Sequence, residues 1–293
     1  MKRRGVTLVE LLVVVALIAV LLALIIPAVQ HARLLGMKLQ IQANLRSVGQ
    51  AMMQYASAHQ GVLPRLADPK RSSPGDKLPL NEYVKYLQGE SYRPAGYSVV
   101  SYDSVPCYRS PSDLSILEIA PPDLRIKYEK YGFSSISTNT LVHVGSGRMS
   151  SAAPDGASHT IYAGEHNSIT FLEEESWNLY FGPLPDWDIN NPSVYLSGGN
   201  RYSGFANAGF HDPLPVTSGN PPTTLCSSPG ITFQHRPSAY EAKPGLLQST
   251  LHYGLLVCMV DGSVRCISPS VSETVYWGAI SPNGGEMTHL LED

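Results

Sequence analysis

The stretch MKRRGVTLVELLVVVALIAVLLALIIPAVQ, residues 1–30, decides how the rest of the chain must be arranged. Lys2, Arg3 and Arg4 form a basic patch, and from Leu11 to Val29 no residue is charged or strongly polar. Those 19 residues, at ~1.5 Å rise each, span ~28 Å, close to the ~30 Å hydrocarbon core of a bilayer. Basic residues stay on the cytoplasmic side. The expectation is a single-pass membrane anchor, with its N-terminus cytoplasmic and the C-terminal body outside.

Several kinds of N-terminal segment share this outline. A cleaved secretory signal has a shorter apolar run followed by a small-residue cleavage site. Here residues 27–32 (PAVQHA) lead directly into more helix-forming sequence. A lipoprotein signal needs a cysteine just past the apolar run, and the first one is Cys107. Glu10 separates the remaining two readings, a plain anchor and a processed one. A carboxylate at the edge of a membrane span is costly, and a plain anchor has no use for it.

The basic leader, Gly5, the run Thr7-Leu8-Val9-Glu10-Leu11-Leu12 and the spacing to Pro27 resemble the signal of type IV pilins and type II secretion pseudopilins. The resemblance implies that a membrane aspartyl peptidase, the prepilin peptidase, cuts between Gly5 and Val6 and methylates the new amine of Val6. Glu10 is then the fifth mature residue. Pro27 is the twenty-second, where these proteins commonly carry a helix-kinking proline. Val6 departs from the usual Phe. The implied partner of Glu10 is the charged amine of a neighbouring subunit, because pairing largely offsets a desolvation that neither charge could bear alone. In a lone anchor Glu10 would instead snorkel to the headgroups.

Beyond the span, Ile41, Leu45, Val48, Met52 and Tyr55 follow a 4-3-4-3 spacing, one apolar stripe along a helix. Arg33, Lys38, Gln42, Arg46, Gln50 and Gln54 fall off it. Gly61 supplies a C-terminal cap, with Pro64 shortly beyond. The expected organisation is a leader at 1–5, a transmembrane half of one long helix at 6–30 and its amphipathic half at 31–60. A β-rich extracytoplasmic head follows at 62–293. The fold class is α+β and pilin-like, a long N-terminal helix packed on a largely antiparallel β head.

Composition agrees with that division. Among 293 residues, 21 Lys and Arg face 24 Asp and Glu, a net charge of −3. Only 15% of residues are charged, against about 25% in an average soluble domain. This argues against a nucleic-acid binder with a basic surface and against an acidic disordered chain. Twenty-five Gly and 23 Pro favour a loop- and strand-rich body over a helical bundle. Stretches 64–79, 183–192, 198–204 and 213–229 read as loops. Runs 97–102, 160–163, 169–172, 255–260 and 263–267 read as strands, with Asp261-Gly262 as a hairpin turn between the last two. Ser270 and Glu273 fit a capping box for a short helix through Ile280.

Several stretches also resemble a large bacterial family of unknown function, which joins a prepilin-type signal to a long body ending in a His-x9-Asp-Gly motif. The matches are residues 46–51 (RSVGQA) with Tyr55 and Gly61, then Ser110-Pro111-Ser112-Asp113. Residues 155–161 (DGASHTI) with Gly164 and Glu165, residues 261–265 (DGSVR) and Gly284-Gly285-Glu286 complete the set. Only eight residues separate His252 from Asp261, Ser110 stands where Cys is usual, and His159 stands where Asn is usual. No metal or disulfide role is therefore carried over. Turn chemistry alone accounts for Asp155-Gly156 and Asp261-Gly262. Glu165 and Glu286 are expected to be solvated or salt-bridged, in preference to being buried against backbone amides.

Signs of catalysis are sparse. There is no G-x-S-x-G elbow and no H-E-x-x-H, and the histidines from His143 to His289 are spread without ligand spacing. Asp186, Asp188 and Asn190 stand at positions one, three and five of a calcium-like loop. Asn191 replaces its turn glycine and Ser197 its final glutamate, so a polar loop is the preferred reading. Cys258 and Cys266 flank the Asp261-Gly262 turn, and whether they face each other depends on hairpin register. The four Cys are too few and too scattered for a disulfide framework, and sequence does not choose among their three possible connectivities.

The expected function is structural, a subunit of a type II secretion or type IV pilus-like filament. No enzymatic activity and no cofactor are expected, calcium at residues 186–190 being the exception to consider. The partners would be the prepilin peptidase, other pilin-like subunits and the inner membrane, without nucleic acid. The alternative is a monomeric anchored module that binds calcium or a glycan and uses the signal only as an anchor.

Overall fold

The computed structural model describes residues 7–64, 79–88, 105–119, 133–143, 148–170, 176–179, 200–202, 204–205, 231–243, 245–251 and 254–282. A 51-residue helix, α1 (Leu8–Ala58), opens the chain. It is followed by α2 (Pro79–Gln88), α3 (Ser115–Ile119), β1 (Ile136–Asn139), α4 (Met149–Ala152), β2 (Ile161–Glu165), β3 (Ile169–Thr170) and β4 (Ser176–Leu179). Then come β5 (Asn200–Tyr202), β6 (Gly204–Phe205), β7 (Gln234–His235), β8 (Gln248–Ser249), β9 (Leu255–Met259), β10 (Val264–Ile267) and α5 (Glu273–Ile280).

The stripe on α1 buries as its spacing predicts. Ile41, Leu45, Val48 and Met52 are within 1% of full burial, and Tyr55 is half-buried. The helix ends one residue earlier than a simple glycine cap requires. Gln60 takes the left-handed conformation (φ 56°), and the Gly61 amide closes on the Ala56 carbonyl at 2.7 Å. Gly61 is left-handed too (φ 81°), so it takes part in the cap as expected, with Gln60 sharing the positive-φ turn.

Alternation along β9 explains the central sheet. Leu256 and Cys258 face α1, whereas Leu255, Val257 and Met259 face the opposite cluster with Tyr276, Trp277 and Ile280 of α5. A strand covered on both faces reads as a continuous apolar run, which is why LLVCM has no polar member. The sheet order is β10-β9-β2-β1-β6. Its first four strands pair antiparallel, and β6 joins β1 in parallel. Ile161 pairs with Met259 but Ala163 with Cys258, so Tyr162 is the extra residue of a bulge. The bulge lets Tyr162 and Ala163 face α1 together, and the Tyr162 hydroxyl donates to that of Tyr83 on α2 at 2.6 Å.

Some expectations need correcting. The β1–β6, β4–β5 and β7–β8 pairs are parallel, while the first four strands of the central sheet and the β3–β4 pair are antiparallel, so the antiparallel character holds for most of the pairs and not for all. Strands β5 and β6 occupy most of the stretch read as loop 198–204, because pairing with β4 and β1 outweighs the low strand propensity of Asn200 and Gly204. The C-terminal helix exists, but its cap is Ser272, which accepts from the Val275 amide at 3.4 Å. Ser270 bonds Ser268 instead, 2.7 Å between hydroxyls. Run 97–102 lies outside the described residues.

Asn139 ties the layers together. Fully buried, it donates to the carbonyls of Ile161 (2.9 Å) and Ile280 (2.8 Å) and accepts from the Leu141 amide (3.0 Å). Asn139→Ala leaves those groups unpaired at about 1–3 kcal/mol each. The expected loss is about 3 kcal/mol, read as a lower urea midpoint at unchanged slope.

Candidate functional site

The N-terminal half of α1 is bare. From Leu8 to Val29 its large apolar side chains are at least half exposed, and every buried residue of the helix lies at Ile41 or beyond. Among the described residues, α1 is the helix long and apolar enough to cross a membrane. Pro27 sits inside it without ending it. Lacking an N–H, proline leaves the Ala23 carbonyl without its helical partner, which is the local cause of the bend expected there.

Thr7 and Glu10 close the helix start reciprocally. The Glu10 amide donates to Thr7 Oγ1 at 3.3 Å, while Glu10 Oε2 accepts from the Thr7 amide (2.8 Å) and hydroxyl (3.0 Å). The carboxylate thus lies on the first amide after Val6. Thr7 was quoted in the motif without a role, and its cap follows from Thr-x-x-Glu ahead of an apolar run. Gly5 and Val6 lie outside the described residues.

In the body, Ser110-Pro111-Ser112-Asp113 and Glu165 meet in one polar network. Asp113 Oδ2 accepts from the Ser168 amide (2.9 Å), the Ser168 hydroxyl (2.5 Å) and the Ser135 hydroxyl (2.7 Å). Its Oδ1 takes the Ser115 amide (3.0 Å) and hydroxyl (2.6 Å). Glu165, at the end of β2, is fully buried, which overturns the solvated or salt-bridged reading. Its Oε2 accepts from the Leu256 amide at 3.0 Å and its Oε1 from the Thr250 hydroxyl at 2.6 Å. Burial pushes the Glu165 carboxyl up to about 7, with the nearby negative charge of Asp113 adding to the rise and the hydrogen bonds from Thr250, side chain and backbone, and from Leu256 opposing it. Thr250 had no signal in the sequence that could have found it.

The two Asp-Gly turns are structural. Gly262 has φ 80° and donates to the Met259 carbonyl, while Asp261 Oδ1 accepts from the Ser263 amide at 2.8 Å. Gly156 has φ 114°, and its carbonyl takes the amides of His159 and Thr160. Register places Cys258 opposite Val264 and Cys266 opposite Leu256, so the two thiols are staggered and no disulfide joins them. Burial holds the Cys258 thiol up to about 12, far from a nucleophile's range. His143 is buried with its Nδ1 donating to the Pro64 carbonyl at 2.7 Å, and burial pulls it down to about 4. That is a neutral core histidine. His252, Glu286 and the calcium-loop residues Asp186, Asp188 and Asn190 lie outside the described residues. Among the described residues no group of three His, Cys, Asp or Glu is placed to hold a metal ion.

Residues 1–26 match the family described as the prokaryotic N-terminal methylation motif. The matched stretch holds the basic patch, Gly5, Val6, Thr7, Glu10 and most of the apolar run, and it stops just before Pro27. No curated protein and no solved structure matches the chain.

Proposed function

We propose that this chain is a membrane-anchored, pilin-like structural subunit of a type II secretion or type IV pilus-like filament. The observation that carries the reading is a prepilin-type methylation motif heading a helix whose first half is uncovered and whose second half is packed into the head. A prepilin peptidase removes residues 1–5 and methylates Val6. The head then stands outside the inner membrane, and Glu10 pairs with the Val6 amine of the next subunit. Burying the bare apolar rod against like rods completes a surface that an isolated subunit can bury only in lipid.

The N-terminal peptide of the purified protein tests the processing. Its mass should show loss of Met1 to Gly5 and one added methyl on Val6. Retention of all five residues in a cell with a working peptidase would overturn the reading.

A further inference from the structure

We propose that Glu165 and the hydroxyl row Thr250, Ser112 and Ser110 form a proton-operated latch between segment 105–119 and the β2–β9 pairing. The latch is closed with the carboxyl protonated and loosened by its ionisation. It stands independently of how the N-terminal helix is used.

The geometry is a continuous chain. Thr250 Oγ1 lies 2.6 Å from Glu165 Oε1 and 2.6 Å from Ser112 Oγ, which lies 2.8 Å from Ser110 Oγ. Glu165 is fully enclosed, whereas Thr250, Ser112 and Ser110 are half-buried and Pro111 is exposed. Each hydroxyl carries one proton and can turn it either way. With the acid protonated, Oε1–H donates to Thr250, Thr250 to Ser112 and Ser112 to Ser110, while Oε2 takes the Leu256 amide. On ionisation the row reverses, the proton leaves to solvent at Ser110, and Thr250 donates back to the carboxylate. No electron moves, and only O–H bonds are exchanged.

The two acids of this network are provided for differently. Asp113 accepts five hydrogen bonds, a set suited to a charged group. Glu165 accepts fewer, from Thr250 and Leu256. The groups that hydrogen-bond Glu165 are neutral, and the cation acting on the neighbouring Cys266 thiol is Lys38 of α1. The charge acting on it is the negative Asp113 of segment 105–119, and β1 brings Ile, Ser, Thr and Asn only. On β9 stands the Cys258 thiol, pushed up to about 12 by burial, and β10 brings Cys266, raised chiefly by burial, with Lys38 of α1 and Glu165 acting on it in opposite directions. His166, next along the chain, turns its Nδ1 to the Asn167 carbonyl. An ionised Glu165 in this enclosure draws water in, and the loops holding Thr250 and Ser112 are what must part to admit it.

The sign follows from linkage. The folded carboxyl titrates near 7 and the unfolded one near 4.5. Stability from this group is full below the unfolded value, falls between the two, and is flat above the folded one. The experiment uses the full chain in detergent, comparing wild type with Glu165→Gln by thermal unfolding from pH 4.5 to 9. Glutamine reproduces the protonated pattern, its amide donating to Thr250 and its carbonyl accepting from Leu256. The folding constant of the wild type should fall relative to the variant by roughly a hundredfold over that window, then run parallel. Infrared titration of the wild type should show a protonated carboxyl lost with a midpoint near 7. Thr250→Val, which removes a donor to the anion, should raise that midpoint, and Thr250→Ser should restore it. Parallel stability profiles for wild type and Glu165→Gln overturn the latch. If that variant does not fold, a carboxyl titrating below pH 5 in the wild type, or a midpoint unmoved by Thr250→Val, overturns it equally.

Discussion

Glu10→Ala should leave the protein in the membrane fraction at its usual level and reduce filaments by at least tenfold, counted by electron microscopy of sheared surface fractions. Membrane insertion rests on the apolar side chains from Leu11 to Val29, which the substitution does not touch. Assembly, in the proposed reading, rests on a charge pair that alanine cannot make. The capping box complicates that inference, because alanine also removes the acceptor from the Thr7 amide and frays the first turn. Glu10→Gln separates the two effects. A glutamine at the third helical position still completes the box through its side-chain oxygen, but it carries no charge. If both variants fail to assemble, the charge is responsible. If glutamine assembles as the wild type does, the cap is the requirement and the intersubunit pairing is lost from the account. Unchanged filaments with alanine would favour the lone anchor.

What could be read from the sequence was whatever depends on neighbours along the chain. Span length, the 4-3-4-3 stripe and the Asp261-Gly262 hairpin are local patterns, and α1, β9 and β10 fall where those patterns put them. Strands β5 and β6 were illegible because three residues and two residues acquire strand geometry only from partners elsewhere. The cap of α5 was misplaced by two residues, since Ser270 and Ser272 offer the same side chain and only the exit from β10 chooses between them. Glu165 shows the limit most clearly. A single glutamate after a glycine looks like a surface residue. Its burial is set by donors 85 and 91 positions away, Thr250 and Leu256. At the N-terminus the motif residues stood in the sequence, but the Thr7–Glu10 capping box emerged only with the helix start, and any use of Glu10 in assembly is a property of two molecules.

The docking of α1 on the head gives a second large effect, centred on Gly49. A Cβ there would stand 2.7 Å from Cys258 Sγ and 3.0 Å from the Gly262 backbone, while a Cβ on Gly262 would stand 2.7 Å from Met53 Cε. Helix and hairpin turn approach so closely because both contribute glycine at the crossing. Gly49→Leu forces four heavy atoms into that gap, and the obstructing atoms include main chain that cannot rotate away. Overpacking of this kind costs about 3 kcal/mol. For a body of this size each kcal/mol moves Tm by about 2–4 °C, so Tm should fall by roughly 6–12 °C. Gly36→Ala is the matched control, since nothing lies within 4 Å of its Cβ position. Removing a helical glycine there should raise helix stability by about 0.5–1 kcal/mol. Equal Tm values for Gly49→Leu and the wild type would mean that α1 and the β9–β10 turn do not touch in solution. The head would then hang from its anchor by residues 59–64 instead of being clasped along the helix, and force applied to the head would no longer pass into the rod through packed side chains.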